Sequence, residues 1–377
     1  MNSPDICRRS FLRGLGSASL AAAGGCAAAK KEKAVRLRTI PSVNDARKVV
    51  PYDEKPADVP ARDVAFVTGV DRRQNAIDSL LPFRDELKSQ IGDRRVVLKI
   101  NLVVADNPLT ATHPDTVRGI VDVLREFYGG EIVIAESNFT NLRGLAIFEH
   151  YGHTALLEEY DNLKIVDLNE DPTNIEWILD HNLYPNSIHV SRMLEDENNF
   201  VISVSRPKSH GGAVATLTVK NIAMGAPLKN LDRNMNEKWK MHANTAENHS
   251  PKMLHFNMFK MMHHVWPDFA VLDGVEGMEG NGPNSKEAVD HGIGLAGFDA
   301  LAVDRIGIEL MGIPFEHVAY LRYMAAAGLG QGNIEKINIL GPDIKPHVIS
   351  YKLHENIEWQ YEWMYEVVLP KFHKTHW

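Results

Sequence analysis

The run Phe200-Val-Ile-Ser-Val204 is apolar and β-branched, and it meets Arg206-Pro207 almost at once. Such a run reads as a buried strand. Proline offers no N–H to a ladder and restricts the residue before it, so the strand must stop there. Lys208, Ser209 and His210 follow, then the pair Gly211-Gly212, and Lys220 stands ten residues after His210. In open α/β sheets, ligands bind where the strands end. These residues therefore point to an α/β enzyme with the segment 206–220 in its active site.

The surrounding pattern agrees. Residues 64–70, 95–100, 131–135, 269–272, 293–296 and 337–340 read as strands, with others near 164–168, 187–190 and 348–353. Residues 75–90 read as a helix that Pro82 kinks or splits. From Pro114 until Gly129-Gly130 stops it, the chain carries Val117, Ile120, Val121, Val123 and Leu124 on one side, an amphipathic helix with Pro114 in its first turn. Asp299 is placed to cap a helix over 300–311, and 251–264 reads as a Met-rich helix. Strands alternating with helices predict a mostly parallel sheet flanked by helices, Rossmann-like, as one body or as two lobes around a cleft. Residues 61–355 form the expected domain, and 356–377 a tail packed on it.

Several classes are excluded. The net charge is −8, and removing the basic first 29 residues leaves about −10. Non-specific nucleic-acid binding needs a cationic face, so no nucleic-acid partner is expected. The two cysteines are Cys7 and Cys26. No disulfide framework, thiolate zinc site or cysteine-ligated iron–sulfur cluster can be built within the folded part.

Residues 1–29 read as a targeting segment. Cys7-Arg-Arg-Ser-Phe-Leu-Arg13 resembles the twin-arginine export signal, with Arg for its usual closing lysine, and a small-residue apolar run follows. Ala23-Gly-Gly-Cys26 resembles a lipobox; lipid on Cys26 or plain cleavage are both open. The expectation is export to the periplasm or cell envelope, with membrane contact only through that lipid. Residues 30–60, rich in Lys, Pro and Asp, read as a linker.

The candidate chemistry has bland readings beside it. His113 opens a helix, where it serves either as an acid–base group or as an N-cap. Cationic neighbours favour the neutral, basic form of His210. Lys220 lies in an apolar run, where it has a lowered pKa, anchors an anion, or snorkels from a helix edge. Lys99 and Asn101 end a strand and, with Lys208, are candidate contacts for a carboxylate or phosphate, or else are solvent-exposed. Asp273, Glu276 and Glu279, in the glycine-rich stretch 273–283, form a hard-cation set or mark tight turns. Residues 229–251 read as an active-site loop or lid.

Four stretches, VVLKIN at 96–101, THPD at 112–115, RPKSHGGAVATLTVKN at 206–221 and the 273–283 and 295–304 segments, resemble the domain-of-unknown-function family 362. Many relatives there carry a ferredoxin-like iron–sulfur segment, whose cysteines this chain lacks. The same positions resemble, more distantly, the nickel-pincer lactate racemase family. Thr112-His113 resembles its Thr-His motif, and His210 with Lys220 its histidine followed ten residues later by the cofactor-bearing lysine. That resemblance implies a divalent metal or nickel-based cofactor on Lys220. It makes His242 the counterpart of a nickel-ligating histidine, although the spacing differs.

Together these readings give an exported enzyme moving a proton or hydride on a small hydroxy acid or sugar-derived anion, in isomerase or oxidoreductase style. His113, His210 and Lys220 would be catalytic. A non-catalytic ligand-binding lipoprotein, or a redox partner of an iron–sulfur protein, are the alternatives.

Overall fold

The computed structural model describes residues 56–230, 235–243 and 250–365. The twin-arginine and lipobox residues, and most of the expected linker, lie outside them. The first half contributes the strands β1 (Arg62–Thr68), β2 (Arg95–Lys99), β3 (Ile132–Glu136), β4 (Leu163–Asp167), β5 (Thr173–Leu179), β6 (Pro185–Ser191) and β7 (Asn199–Ser205). The second half adds β8 (Lys208–His210), β9 (Val214–Thr216), β10 (Lys229–Asn230), β11 (Met235–Asn236), β12 (Phe269–Glu279), β13 (Glu287–Gly297) and β14 (Ile337–Leu340). The helices that frame the sheet are α1 (Arg72–Leu80), α2 (Arg84–Ile91), α3 (Pro114–Arg125), α4 (Ala146–His150), α5 (Leu156–Glu159) and α6 (Arg192–Glu195). They continue with α7 (Thr218–Gly225), α8 (Pro251–Met261), α9 (Ala300–Leu310), α10 (Ala319–Ala326) and α11 (Ile357–Tyr365).

The main sheet runs β14-β1-β13-β12-β7-β2-β3-β4. Only β13 is antiparallel to its neighbours along this path. The strands read as continuous apolar runs because both faces are covered. Alternation along β2 divides the core: Val96 and Leu98 pack toward the cluster holding Leu80, Leu87, Val117 and Ile120 of α1–α3. Val97 faces the cluster holding Val219 and Ile222 of α7, Met258 of α8 and Ile306 of α9. A Rossmann-like three-layer α/β architecture results.

Local chemistry sets the boundaries. Pro82 separates α1 from α2 through a short 3₁₀ turn, Leu81–Phe83. Asp299 caps α9, accepting from the Ala302 N–H at 3.1 Å. Three expectations need correction. Residues 273–279 are strand, not a glycine-rich loop: β12 continues to Glu279, opposite Glu287. Its glycines make room rather than turns, since a Cβ at Gly274 would lie 2.5 Å from Ile293 Cγ1 and one at Gly277 2.0 Å from the Tyr351 hydroxyl. Residues 348–353 form no strand. Residues 208–216, read as a loop, form the β8–β9 hairpin beside Met278 of β12.

Candidate active site

A cavity of about 490 Å³ opens above the sheet on the α7 side. Strand alternation puts Lys208 and His210 of β8 on the same side, and both line it. Lys220, the third residue of α7, also lines it, as do Asn101, His242 and Lys238. Phe139, Trp239, His354 and Trp359 complete the rim.

The helix under Lys220 is held from below. Asp304 of α9 accepts from the Thr218 N–H at 2.8 Å and the Val219 N–H at 2.9 Å, two donors that helix geometry leaves without partners. Burial pushes that carboxyl up to about 7, against those bonds. The next residue, Asn221, donates to the Lys99 carbonyl at 2.9 Å and accepts from the Lys99 ammonium at 2.8 Å, locking α7 to β2.

Lys220 is 7% exposed and forms no hydrogen bond or ion pair with the described residues. Burial alone pushes its ammonium down to about 7. Lys238 is likewise pushed to about 7, chiefly by burial, while donating to Ser137 Oγ and the Met224 carbonyl at 2.7 Å each. Lys208 donates to Asn101 Oδ1 and, at 3.2 Å, to the Thr110 carbonyl. It is held well below the usual lysine range by burial and then by Lys220 and Arg206. Among the described residues the one carboxylate in the lining, Glu136, is already engaged by Lys99 at 3.1 Å and by the N–H groups of Leu102 and Ser137. Three amines thus face a cavity with no carboxylate left to balance them, which suits an anionic ligand.

His210 accepts the Gly212 N–H on Nδ1 at 3.0 Å, so its neutral ring carries the proton on Nε2. Burial, then Lys220, His242 and Lys208, hold it well below the normal imidazole range. The site therefore pairs a readily deprotonated amine with a neutral imidazole N–H.

The structure does not bring every candidate together. His113 stands apart from this cavity, on the α1–α3 side of the sheet. It is the N-cap of α3, its Nδ1 accepting the Asp115 N–H at 3.1 Å, and Arg72, Asp115, Asp273 and Arg206 surround it. The capping alternative describes its contacts. Lys99 is fully buried in its pairing with Glu136 and Asn221 and is not a lining residue, so its place as a substrate contact is corrected to a structural one.

Asp273, Glu276 and Glu279 are not a cation site. Their ligand atoms do not come within 4.8 Å of one another, the closeness a shared ion would need. Asp273 takes the Thr116 hydroxyl at 2.7 Å and stands 3.3 Å from the Arg72 guanidinium. Glu276 is paired with Arg72 and Arg206, and Glu279 accepts the Lys352 N–H at 2.8 Å.

The sequence reading overlooked Lys238, hidden in a polar stretch taken as a lid. It also overlooked Trp239, His354 and Trp359, which reach the rim from segments distant in sequence. One detail limits the floor of the cavity. A Cβ at Gly225 would lie 2.2 Å from Lys99 Cε and 2.5 Å from its Nζ.

The family described as "Domain of unknown function (DUF362)" matches residues 96–309. The chain belongs to this family. The match contains Asn101, Lys208, His210, Lys220, Lys238 and His242, so most of the cavity lining lies within it, while His354 and Trp359 of the rim lie beyond it. A thylakoid-associated protein of Synechocystis sp. is 28% identical over 222 residues, covering 58% of this chain and 63% of that relative. The matched part thus spans less than two thirds of that protein. The lactate racemase apoprotein of Thermoanaerobacterium thermosaccharolyticum overlaps 68% of this chain and 60% of its own, at 14% identity and a TM-score of 0.39. A Thermotoga maritima protein overlaps 69% and 60%, at 10% identity and a TM-score of 0.36. Neither overlap is close enough to carry a functional argument.

Proposed function

We propose that the lysine-lined cavity is the active site of an enzyme acting on a small organic anion, a hydroxy acid or sugar-derived acid, by proton or hydride movement at its hydroxyl-bearing carbon. One observation carries the reading: Lys220 is buried against a cavity large enough for a substrate, has no hydrogen-bond or ion-pair partner among the described residues, and is pushed down to about 7 by burial. Lysines of this kind act as bases or as covalent anchors. In this scheme the Lys208 and Lys238 ammonium groups hold the anion, and Lys220 accepts a proton or carries the cofactor. His210 offers its Nε2–H to the developing oxyanion. The aromatic rim limits water entry.

The donors present are compatible with a lysine-held nickel cofactor. Among the described residues the Lys220 amine has no hydrogen-bond or ion-pair partner, and His242 lies in the same lining. When bound, such a group would supply a hydride acceptor. Intact mass and metal content of protein purified from its own producer, beside Lys220→Ala, test this part; a wild-type mass with no adduct removes it.

The enzyme reading is tested by incubating natively purified protein with a panel of short 2-hydroxy acids and sugar acids, following stereochemistry and solvent deuterium uptake by NMR. Turnover that falls at least about a hundredfold in Lys220→Met is expected. Ligand-dependent thermal shifts without turnover, or turnover indifferent to Lys220→Met, overturn it.

We further propose that the chain works outside the cytoplasm, on the strength of the Cys7–Arg13 and Ala23–Cys26 sequences. Arg8→Lys with Arg9→Lys should retain it inside, as cell fractionation would show.

A further inference from the structure

A second chemically suggestive cluster lies apart from the cavity, where the β5–β6 hairpin packs on α8. Glu176 of β5, Glu195 of α6 and His264 just beyond α8 each present a ligand-type atom, all within 4.8 Å of one another. His264 Nδ1 lies 3.1 Å from Glu176 Oε2. Alternation along β5 turns Glu176 away from the exposed faces of Ile175 and Trp177.

An independent observation concerns charge. Glu195 is 3% exposed, yet among the described residues no lysine or arginine forms an ion pair with it. Its polar contacts are Asn174 Nδ2, which donates to Oε2 at 2.7 Å, and the Glu176 carboxyl. Lys260 of α8 influences Glu176 and His264 through space without pairing to either. Two touching carboxyls cannot both remain ionised unless a positive group lies between them.

We propose that Glu176, Glu195 and His264 form a binding site for a borderline divalent transition-metal ion of the Zn²⁺ class, separate from the lysine cavity. Two carboxylate oxygens and one imidazole nitrogen suit such an ion better than magnesium or calcium, whose sites are all oxygen. The His264 side chain is 32% exposed, which leaves a route for the ion and for water as a fourth ligand. Asn174 orients the Glu195 carboxylate as an outer-sphere partner. The ion would tie the hairpin and α6 to the end of α8.

The test uses full-length protein stripped with a chelator and titrated with Zn²⁺ against a chromophoric competitor, alongside Glu195→Gln and His264→Ala. Wild type should bind one equivalent at least about tenfold more tightly than either variant. Zn²⁺ should raise the wild-type Tm and leave that of the variants unchanged. Glu195→Gln removes a buried charge, so it should be at least as stable as the metal-free wild type, and its loss of response would not reflect misfolding. Equal Zn²⁺ affinity in all three proteins, or a wild-type Tm indifferent to Zn²⁺, overturns the site and leaves a shared proton between the two carboxyls.

Discussion

Two charged regions flank the same sheet and solve opposite problems. On the α1–α3 side, Arg206 is 3% exposed but donates to the carbonyls of Pro108 and Glu276 and to the Glu276 carboxylate, with Arg72 and Asp273 alongside. Burial opposes ionisation of Glu276, yet Arg72 and Arg206 together hold its carboxyl below the usual value. On the α7 side, Lys208, Lys220 and Lys238 are buried as deeply, without a free carboxylate among the described residues around them. The first region is neutralised internally and fixes the ends of the strands. The second has no countercharge among the described residues, and a bound anion would complete it. A count of charges in the sequence makes these regions look alike; only the pairing separates them.

The largest effect should come from breaking the paired region. Arg206→Ala leaves Glu276 without its buried partner and several carbonyls without donors, and should destabilise by about 3–5 kcal/mol in urea unfolding. A loss near zero would mean that the network is dispensable.

Lys220→Met should have the opposite sign. The folded-state value near 7 lies below the ordinary 10.5, so folding is penalised in full below pH 7 and the penalty fades as the pH rises toward 10.5. Removing the amine should therefore stabilise the protein by up to about 5 kcal/mol at pH 6–7. The gap between variant and wild type should close by pH 10. A gap independent of pH would show that Lys220 is not an uncompensated ammonium.

Small organic anions should raise the wild-type Tm by about 2–4 °C at pH 6 and low salt. The shift should shrink at pH 9, where Lys220 and Lys238 have lost their protons. An equal shift at both values would place the anion elsewhere. The smallest effect belongs to His113→Asn. Asparagine also caps a helix, so stability should change by less than about 0.5 kcal/mol with the anion response intact. Loss of the anion response would join the two regions functionally and undo the contrast.

The sequence revealed those parts whose causes are local. Pro82 splits a helix wherever it sits in one, Asp299 caps the helix it precedes, and the apolar strand over 200–204 shows burial on both faces without any partner being known. Lys208, His210 and Lys220 were legible because they follow a strand end closely. Lys238, Trp239 and Trp359 were not, since their nearness to Lys220 depends on how α7, the 237–242 turn and α11 pack. The glycines of β12 misled for a related reason. Gly274 and Gly277 answer to Ile293 and Tyr351 across the fold, and a string of glycines reads as turns when those neighbours are unknown. His113 has the composition of a catalytic motif and the geometry of a cap, a distinction made only by what surrounds the ring.

The bare α-carbon at Gly225 has a consequence for how this pocket can change. Even one methyl there would occupy the volume of the Lys99 side chain, displacing the cation that neutralises Glu136 and tethers Asn221. Remodelling for a bulkier or differently charged guest is thus steered toward the mouth, where Trp239, His354 and Trp359 can be exchanged without disturbing the foundations. Diversity among relatives should accordingly collect at the entrance, over a floor that stays the same.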